Sequence, residues 1–307
     1  MMEVWASIIL SICAASTPLL IAATGELVVE RSGVLNLGVE GMMIMGAVAA
    51  FATAQVTGNP YIAAVAAVAI GAAFSLLFAF LTLTLVANQV ATGLALTILG
   101  LGLSGMIGEG FVGQPGIRME SINIPFLSDL PLVGKLLFGQ DLIFYLSIAL
   151  VIGVSWFLFK TRAGLMLRSV GDSHTSAHAL GIKVIKIRYL AILFGGACAG
   201  LAGAHLSLVY VPQWVEGMTA GRGWIALALV VFASWRPGRV LIGAYLFGAV
   251  TIGQFHAQAV GVPIPAQFLT SLPYLATIVV LVLIARNRRL TMINTPAALG
   301  QSFVPDR

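Results

Sequence analysis

The chain has 307 residues, of which 59% are hydrophobic and only 9% are charged, against about 25% charge in a water-soluble domain. Mean hydropathy is +1.02, and the apolar runs are unbroken, as in IAAVAAVAIGAAFSLLFAFL at 62–81; alternation would mark a β-barrel, so the expectation is an all-α, polytopic helical membrane protein with about 8–10 spans. The formal charge of +5 does not point to nucleic acid, because the bases sit in short segments between apolar runs, which is a topology signal.

In chain order, the candidate spans are 4–24, 34–56, 61–86, 89–108, 142–159, 189–211, 224–235, 240–258 and 266–285. The start, MMEVWAS, carries Glu3 where a secretory signal would carry bases, so 4–24 reads as a retained helix. The stretch 25–41 (GELVVERSGVLNLGVEG) then places Glu26, Glu30, Arg31 and Glu40 between two apolar runs, with Asn36 among them. Charge beside hydrocarbon marks a pathway, a pair or a coupling contact. Glu26, Glu30 and Arg31 are expected at the cytoplasmic edge, where water solvates charge, as anchors or coupling contacts. Asn36 and Glu40 share a face at i, i+4; they line a pathway or contact a neighbouring helix, and for Glu40 the helix contact is favoured.

Asn88, Gln89 and Gly93 open the 89–108 span, where neutral amides can hydrogen-bond a polar solute without carrying charge. The loop 109–141 carries Glu109, Glu120, Asp129 and Asp141 against Arg118 and Lys135, with Pro115, Pro125 and Pro131 making it irregular. The segment 160–188 carries Lys160, Arg162, Arg168, Lys183, Lys186 and Arg188 against Asp172. The positive-inside rule puts 160–188, the turn 236–239 (RPGR) and the tail 286–307, with Arg286, Arg288 and Arg289, in the cytoplasm, and 109–141 and the N-terminus outside.

Within 160–188, residues 174–180 suit a short helix, with Asp172 or Ser173 as its cap and Gly181 as its stop. A short helix there suits a cytoplasmic motor; an ordinary basic loop that sets topology is the equal alternative. His174 and His178 share a face, but two histidines do not close a metal site, so a solvated face is expected. Small residues at 195–204 (GGACAGLAGA) permit close helix packing. The 224–235 span is short and reads as a broken or re-entrant helix. Asn88–Gly93 and Gly217–Gly223 both precede a short apolar segment, a faint signal of an inverted repeat. Gln254 and Gln258 share a face and read as interface residues near the outer end of their span.

Catalytic signatures are lacking. Gly134-Lys135 is followed by Leu136, so it is no phosphate-binding loop, and HExxH, GxSxG and CxxC do not occur. Cys13 and Cys198 lie in apolar runs as small buried hydrophobes. The chain reads as one integral membrane domain over 1–307 and as no enzyme, so active transport would need energy from a partner.

Four stretches together, GELVVERSGVLNLGVEGMMIMGA (25–47), NQVATGLAL (88–96), GLMLRSVGDSHTSAHALGIKV (164–184) and GRGWIALALVVFASWRPGRVLIGAYLFG (221–248), resemble the membrane subunits of ABC importers. The resemblance is to the branched-chain amino acid, ribose and nucleoside permease superfamily, and the wording ERSGVLNLGVEG resembles its nucleoside (simple sugar) branch. This implies a nucleoside importer permease working by alternating access, with simple sugars or branched-chain amino acids as the alternative cargo. It implies a second, homologous permease in a heterodimer, a cytoplasmic ABC ATPase that holds the ATP and Mg while this chain holds no cofactor, and an extracytoplasmic solute-binding lipoprotein or periplasmic protein. The setting would be a bacterial inner membrane, with the lipid bilayer and no nucleic acid as surroundings. Carried over residue by residue, Arg168, Gly171, Asp172, His174, Ala179 and Gly181 belong to the coupling loop. The pathway passes Asn36, Glu40, Asn88, Gln89 and Gly93. His174-Thr175 stands where many relatives have Asn-Pro. An ion-coupled secondary transporter would need a titratable group near the midplane, and the later spans offer only His205.

Overall fold

The computed structural model describes residues 2–122, 134, 138–261, 264–285 and 294–304, and all regular structure among them is helical. Pro125, Asp129, Pro131, Lys135, Arg286, Arg288 and Arg289 lie outside the described residues.

Helix starts follow local chemistry. α1 is Met2–Arg31 and α2 is Val39–Thr57. α3 (Pro60–Ala79) opens on Asn59, whose side chain accepts from the Tyr61 and Ile62 amides, with Pro60 at the first helical position; a π-helical turn, Phe80–Thr84, continues it. α4 (Gln89–Gly108) is capped by Asn88 through the Ala91 amide, and α5 (Leu142–Lys160) by Asp141 through the Phe144 amide. Thr161 caps α6 (Arg162–Asp172) and Ser173 caps α7 (His174–Ala179). α8 (Val184–His205) ends in a π-helical turn, Leu206–Tyr210. α9 is Arg222–Phe232, α10 Pro237–Ala259 and α11 Ala266–Ala285.

Seven of these helices are long and apolar enough to cross a membrane, and two shorter apolar helices, Arg222–Phe232 and Gln267–Val279, account for the other expected spans. The chain is thus a multi-pass helical membrane protein. α2 and α8 form its interior, with 72% of their apolar windows buried against 28–33% for α3, α4, α5 and α10. Small residues let α8 sit there. A Cβ at Gly200 would fall on the Ala67 carbonyl of α3, and one at Gly196 on Ser75, so the backbones approach as only glycine allows.

One expectation fails. α1 does not stop near residue 24 but runs to Arg31, so Glu26, Glu30 and Arg31 lie inside a helix and are buried (1%, 1% and 7% exposed). They are not solvated edge charges. Arg188 donates to the Ser32 carbonyl, and Arg168, Asp172 and Arg236 lie near Arg31, which holds Trp235, so these charges share one end of the bundle. Asp141 and His205, 3.6 Å apart, mark the opposite end.

Candidate functional site

α9 has 11 residues and is therefore about 16 Å long, half a membrane crossing. A half-helix buries two ends whose backbone groups have no helical partner. Its first end has no cap of its own at Gly221, which is left-handed at φ 80°. Glu40 supplies one instead. The Gly221 amide donates to Glu40 Oε1 at 2.8 Å, the Gly223 amide donates to Oε2 at 2.6 Å, and the Thr219 hydroxyl donates to Oε1. An acidic group at a helix N-terminus meets both the orphan amides and the helix dipole.

The other end turns through Ser234 (φ 49°) and Trp235 (φ 54°), left-handed conformations that non-glycine residues hold only when surroundings enforce them. Trp235 Nε1 donates to Glu30 Oε2 at 2.6 Å, and Arg31 Nη2 donates to the Trp235 carbonyl at 3.0 Å. Two glutamates ten residues apart in the 25–41 stretch therefore hold both ends of α9.

The segment between them is tied down as well. The Asn36 amide donates to Glu26 Oε1 at 3.3 Å, and Asn36 Oδ1 accepts from the Gly38 amide at 2.9 Å. Gln89 Oε1 accepts from the Leu35 amide at 2.9 Å, and the Thr97 hydroxyl donates to the Leu37 carbonyl at 3.0 Å. A Cβ on Gly93 would lie 2.8 Å from the Leu37 nitrogen. Four of the expected pathway residues, Asn36, Glu40, Gln89 and Gly93, thus meet in one knot, with most of the side-chain hydrogen bonds directed at backbone and the Thr219 hydroxyl and Met42 sulfur as the exceptions. Asn88 is exposed and spends its oxygen on the α4 cap. The Gln89 Nε2 and Glu26 Oε2 atoms are buried without a hydrogen-bond partner among the described residues.

At the Asp141 end a cavity of about 1030 Å³ opens among α1, α10, the start of α5 and the end of α8, at the upper limit of ordinary ligand pockets. Arg118, Glu120, Asp141, Tyr210, Arg222 and Phe255 are among its walls. Arg222 is the first residue of α9; its guanidinium donates to the Met218 carbonyl at 2.9 Å and lies 5.4 Å from the Tyr210 ring centroid. The vestibule therefore reaches the end of α9 that Glu40 holds. Behind its wall His205 is wholly buried, and its 3.6 Å contact with Asp141 is longer than a hydrogen bond. Burial pushes the Asp141 carboxyl up, but His205 and the Phe144 amide outweigh it and bring it below its ordinary value. Gln254 is buried beside Phe255, and its oxygen has no partner among the described residues.

At the basic end, Ser173 rather than Asp172 caps α7, accepting from the Ser176 amide, and Gly181 (φ 81°) follows its end. Leu180 stands 81% exposed at the tip, beside exposed Thr175, Ser176 and Ala179. A Cβ on Gly171 would fall on the Arg31 carbonyl, so this segment touches the end of α1 directly. Arg168 lies 5.3 Å from the Phe159 ring centroid, and Asp172 is exposed.

The histidine pair does not form a bare solvated face. Phe303 packs edge-on against both rings, 5.3 Å from each centroid. The segment 294–304 is bound to the rest by the Ala298 amide donating to the Gly171 carbonyl (2.9 Å) and the Gly300 amide donating to the Gly33 carbonyl (3.1 Å). Wholly buried Arg188 joins three parts: it donates to the carbonyls of Ser32 (3.1 Å) and Gln301 (3.0 Å), with His174 Nδ1 3.5 Å away. Burial, and secondarily the Arg188 charge, hold the His174 imidazole below its ordinary value. Among the described residues no group of three or more His, Cys, Asp or Glu could hold a metal ion.

A helical membrane protein with an internally clamped half-helix and a capped helix on its basic face matches, over residues 8–285, the family model described as branched-chain amino acid transport system / permease component. The chain belongs to this permease family. It is 41% identical to TsgC13 of Haloferax volcanii, which carries a provisional glucose ABC transporter permease name, over 94% of each chain. It is 35% identical to the nucleoside ABC transporter permease NupC of Lactococcus lactis subsp. cremoris, over 87% of this chain and 89% of that protein. With the guanosine ABC transporter permease NupQ of Bacillus subtilis it shares 33% identity, over 87% of this chain and 88% of that protein.

Sequence reasoning about this permease missed Thr219, Trp235, Tyr210, Arg222 and Phe303. The signal for Trp235 was its place before Arg236-Pro237, a turn position. Nothing in the chain order signalled that Phe303 would reach His174.

Proposed function

We propose that this permease subunit imports a sugar-bearing solute, a nucleoside or a simple sugar, driven by ATP hydrolysis on a separate subunit. The observation that carries the reading is the vestibule. Charged and hydroxyl-bearing side chains of both signs stand with Tyr210 and Phe255 around one solute-sized space, which is chemistry for hydroxyl groups and a flat ring or sugar face. The nucleoside reading is supported by the ERSGVLNLGVEG wording, and the sugar reading by the 41% identity to TsgC13.

The partners in this reading are a second homologous permease, in a heterodimer, an ABC ATPase and an extracytoplasmic solute-binding protein, at the cytoplasmic membrane of a prokaryotic cell. The 160–188 segment, with Arg168, Gly171, Asp172, His174, Ala179 and Gly181, is the coupling surface. Leu180 and the exposed face of α7 meet the ATPase. A push there passes from Gly171 to the Arg31 carbonyl and from Arg188 to Ser32, and Glu30 and Arg31 carry it to the Trp235 turn. α9 then moves as a unit between its two clamps and shifts Arg222 at the vestibule floor. Asn36, Glu40, Gln89 and Gly93 keep this unit rigid beside the route rather than gripping cargo, and Asn88 caps α4 next to them.

Uptake of labelled glucose, guanosine and leucine by cells lacking the gene tests this, with Leu180→Asp as a second strain. Loss of sugar or nucleoside uptake in both strains is the expected result. Loss confined to leucine uptake would overturn the cargo, and wild-type uptake by Leu180→Asp would overturn the coupling surface.

A further inference from the structure

A second groove, about 620 Å³, runs along the outside of the bundle between α5, α6 and the start of α8. It shares no lining residue with the vestibule. Of its fifteen lining residues thirteen are apolar and two are charged, and both charged ones are lysines, Lys183 and Lys186. Neither lysine is ion-paired among the described residues, both are exposed, and Met166 and Leu190 on the walls are open to the outside as well.

Length and charge identify the occupant. On α5 the groove begins at Ala149 and the helix ends at Lys160. Eleven residues at 1.5 Å each are about 16 Å, against a hydrocarbon core of about 30 Å. The groove therefore spans one leaflet and stops near the midplane, the reach of a single acyl chain, whereas a helix of another subunit would use the full crossing. Its mouth lies at the basic end, where the lysines meet the headgroup layer, and basic pockets between membrane helices on that side suit anionic headgroups.

We propose that this groove is a binding site for one anionic phospholipid, with an acyl chain along Gly153, Phe157 and Phe194 and the phosphate between Lys183 and Lys186. Ala163, Met166 and Leu167 of α6 form one wall, so the lipid packs against the same segment that carries α7.

The test uses the purified full chain in neutral detergent, titrated with dioleoyl phosphatidylglycerol or dioleoyl phosphatidylcholine and read by native mass spectrometry. Two lysines in the headgroup layer predict a preference of roughly 30-fold for the anionic lipid. Lys183→Ala/Lys186→Ala should abolish the preference, Lys183→Arg/Lys186→Arg should keep it, and Gly153→Trp should block both lipids by filling the groove. Melting temperatures in lipid-free detergent separate these effects from misfolding. Equal retention of the two lipids, or a preference that survives the double alanine variant, would overturn the site. So would displacement of the lipid by equimolar glycerol phosphate, which would mean a bare phosphate site. A disulfide-linked dimer formed rapidly by Gly153→Cys would overturn it in favour of an interface between copies.

Discussion

Two polar regions of this permease look alike in composition and behave oppositely. The 25–41 knot holds Glu26, Glu30, Arg31, Asn36 and Glu40 inside the helical core, and nearly all of their hydrogen bonds go to the protein's own backbone or to Trp235. The vestibule at the other end holds Arg118, Glu120, Asp141 and Arg222 around an open space. A polar group already satisfied by the fold has little left for a solute, and one facing a cavity can exchange water for a ligand. Charge therefore holds the helices together in the first region and lines an open cavity in the second.

The largest expected effect comes from breaking the knot. Glu40→Ala leaves the Gly221 and Gly223 amides and the Thr219 hydroxyl without their acceptor. At roughly 1–3 kcal/mol for each buried orphan, the loss is several kcal/mol, visible as a fall in melting temperature and yield in detergent. If Glu40→Ala folds normally and changes only solute affinity, the comparison is inverted. Next, Trp235→Phe keeps an aromatic ring but removes the donor to Glu30 and part of the ring volume, and should cost about 2 kcal/mol or more with altered hydrogen exchange at the Ser234–Trp235 turn.

Smaller is Phe303→Ala, which should release the 294–304 segment and raise exchange at the Gly171–Ala298 bond while leaving the bundle melting nearly unchanged. The same docking has a pH signature. His174 sits below its ordinary value when docked, so the undocked state binds more protons in acid. Docking is intact above the ordinary histidine value, about 6.5, and weakens as pH falls below it; exchange of the Ala298 amide, which donates to the Gly171 carbonyl, measured across that range checks the sign, and His174→Gln should flatten it. The smallest stability effect belongs to the vestibule. Arg222→Gln should shift melting by less than about 1 kcal/mol yet raise the KM for uptake several-fold, and an unchanged KM would remove Arg222 from the solute route.

Much of the fold was legible because it depends on local physics. Apolar run length marked the spans, and Ser173, one of the two caps expected for the short helix after it, does cap α7. The short 224–235 segment was legible as a broken helix for the same reason. Charge was where local reading failed. Glu26, Glu30 and Arg31 read as a solvated edge, because in isolation a charged run ends a membrane helix. Inside the bundle Glu30 and Arg31 find partners at Trp235, some 200 residues later, and Glu26 finds the Asn36 amide. Asn36, Glu40, Gln89 and Gly93 lie close together in space, yet what their side chains hold is mostly backbone, and a one-dimensional pattern does not say toward which atoms a carboxylate turns.

Composition, hydropathy and the ERSGVLNLGVEG wording by themselves determined a multi-pass helical permease and its family, since burial in hydrocarbon constrains run length and residue type along the whole chain. Only the tertiary structure decided that Glu30 and Glu40 clamp the two ends of α9, that Phe303 closes over His174 and His178, and that the open polar space lies at the Asp141 end. The physical reason is common to all three. A buried polar group needs a partner within about 3 Å, and which segment supplies that partner depends on how distant parts of the chain pack together.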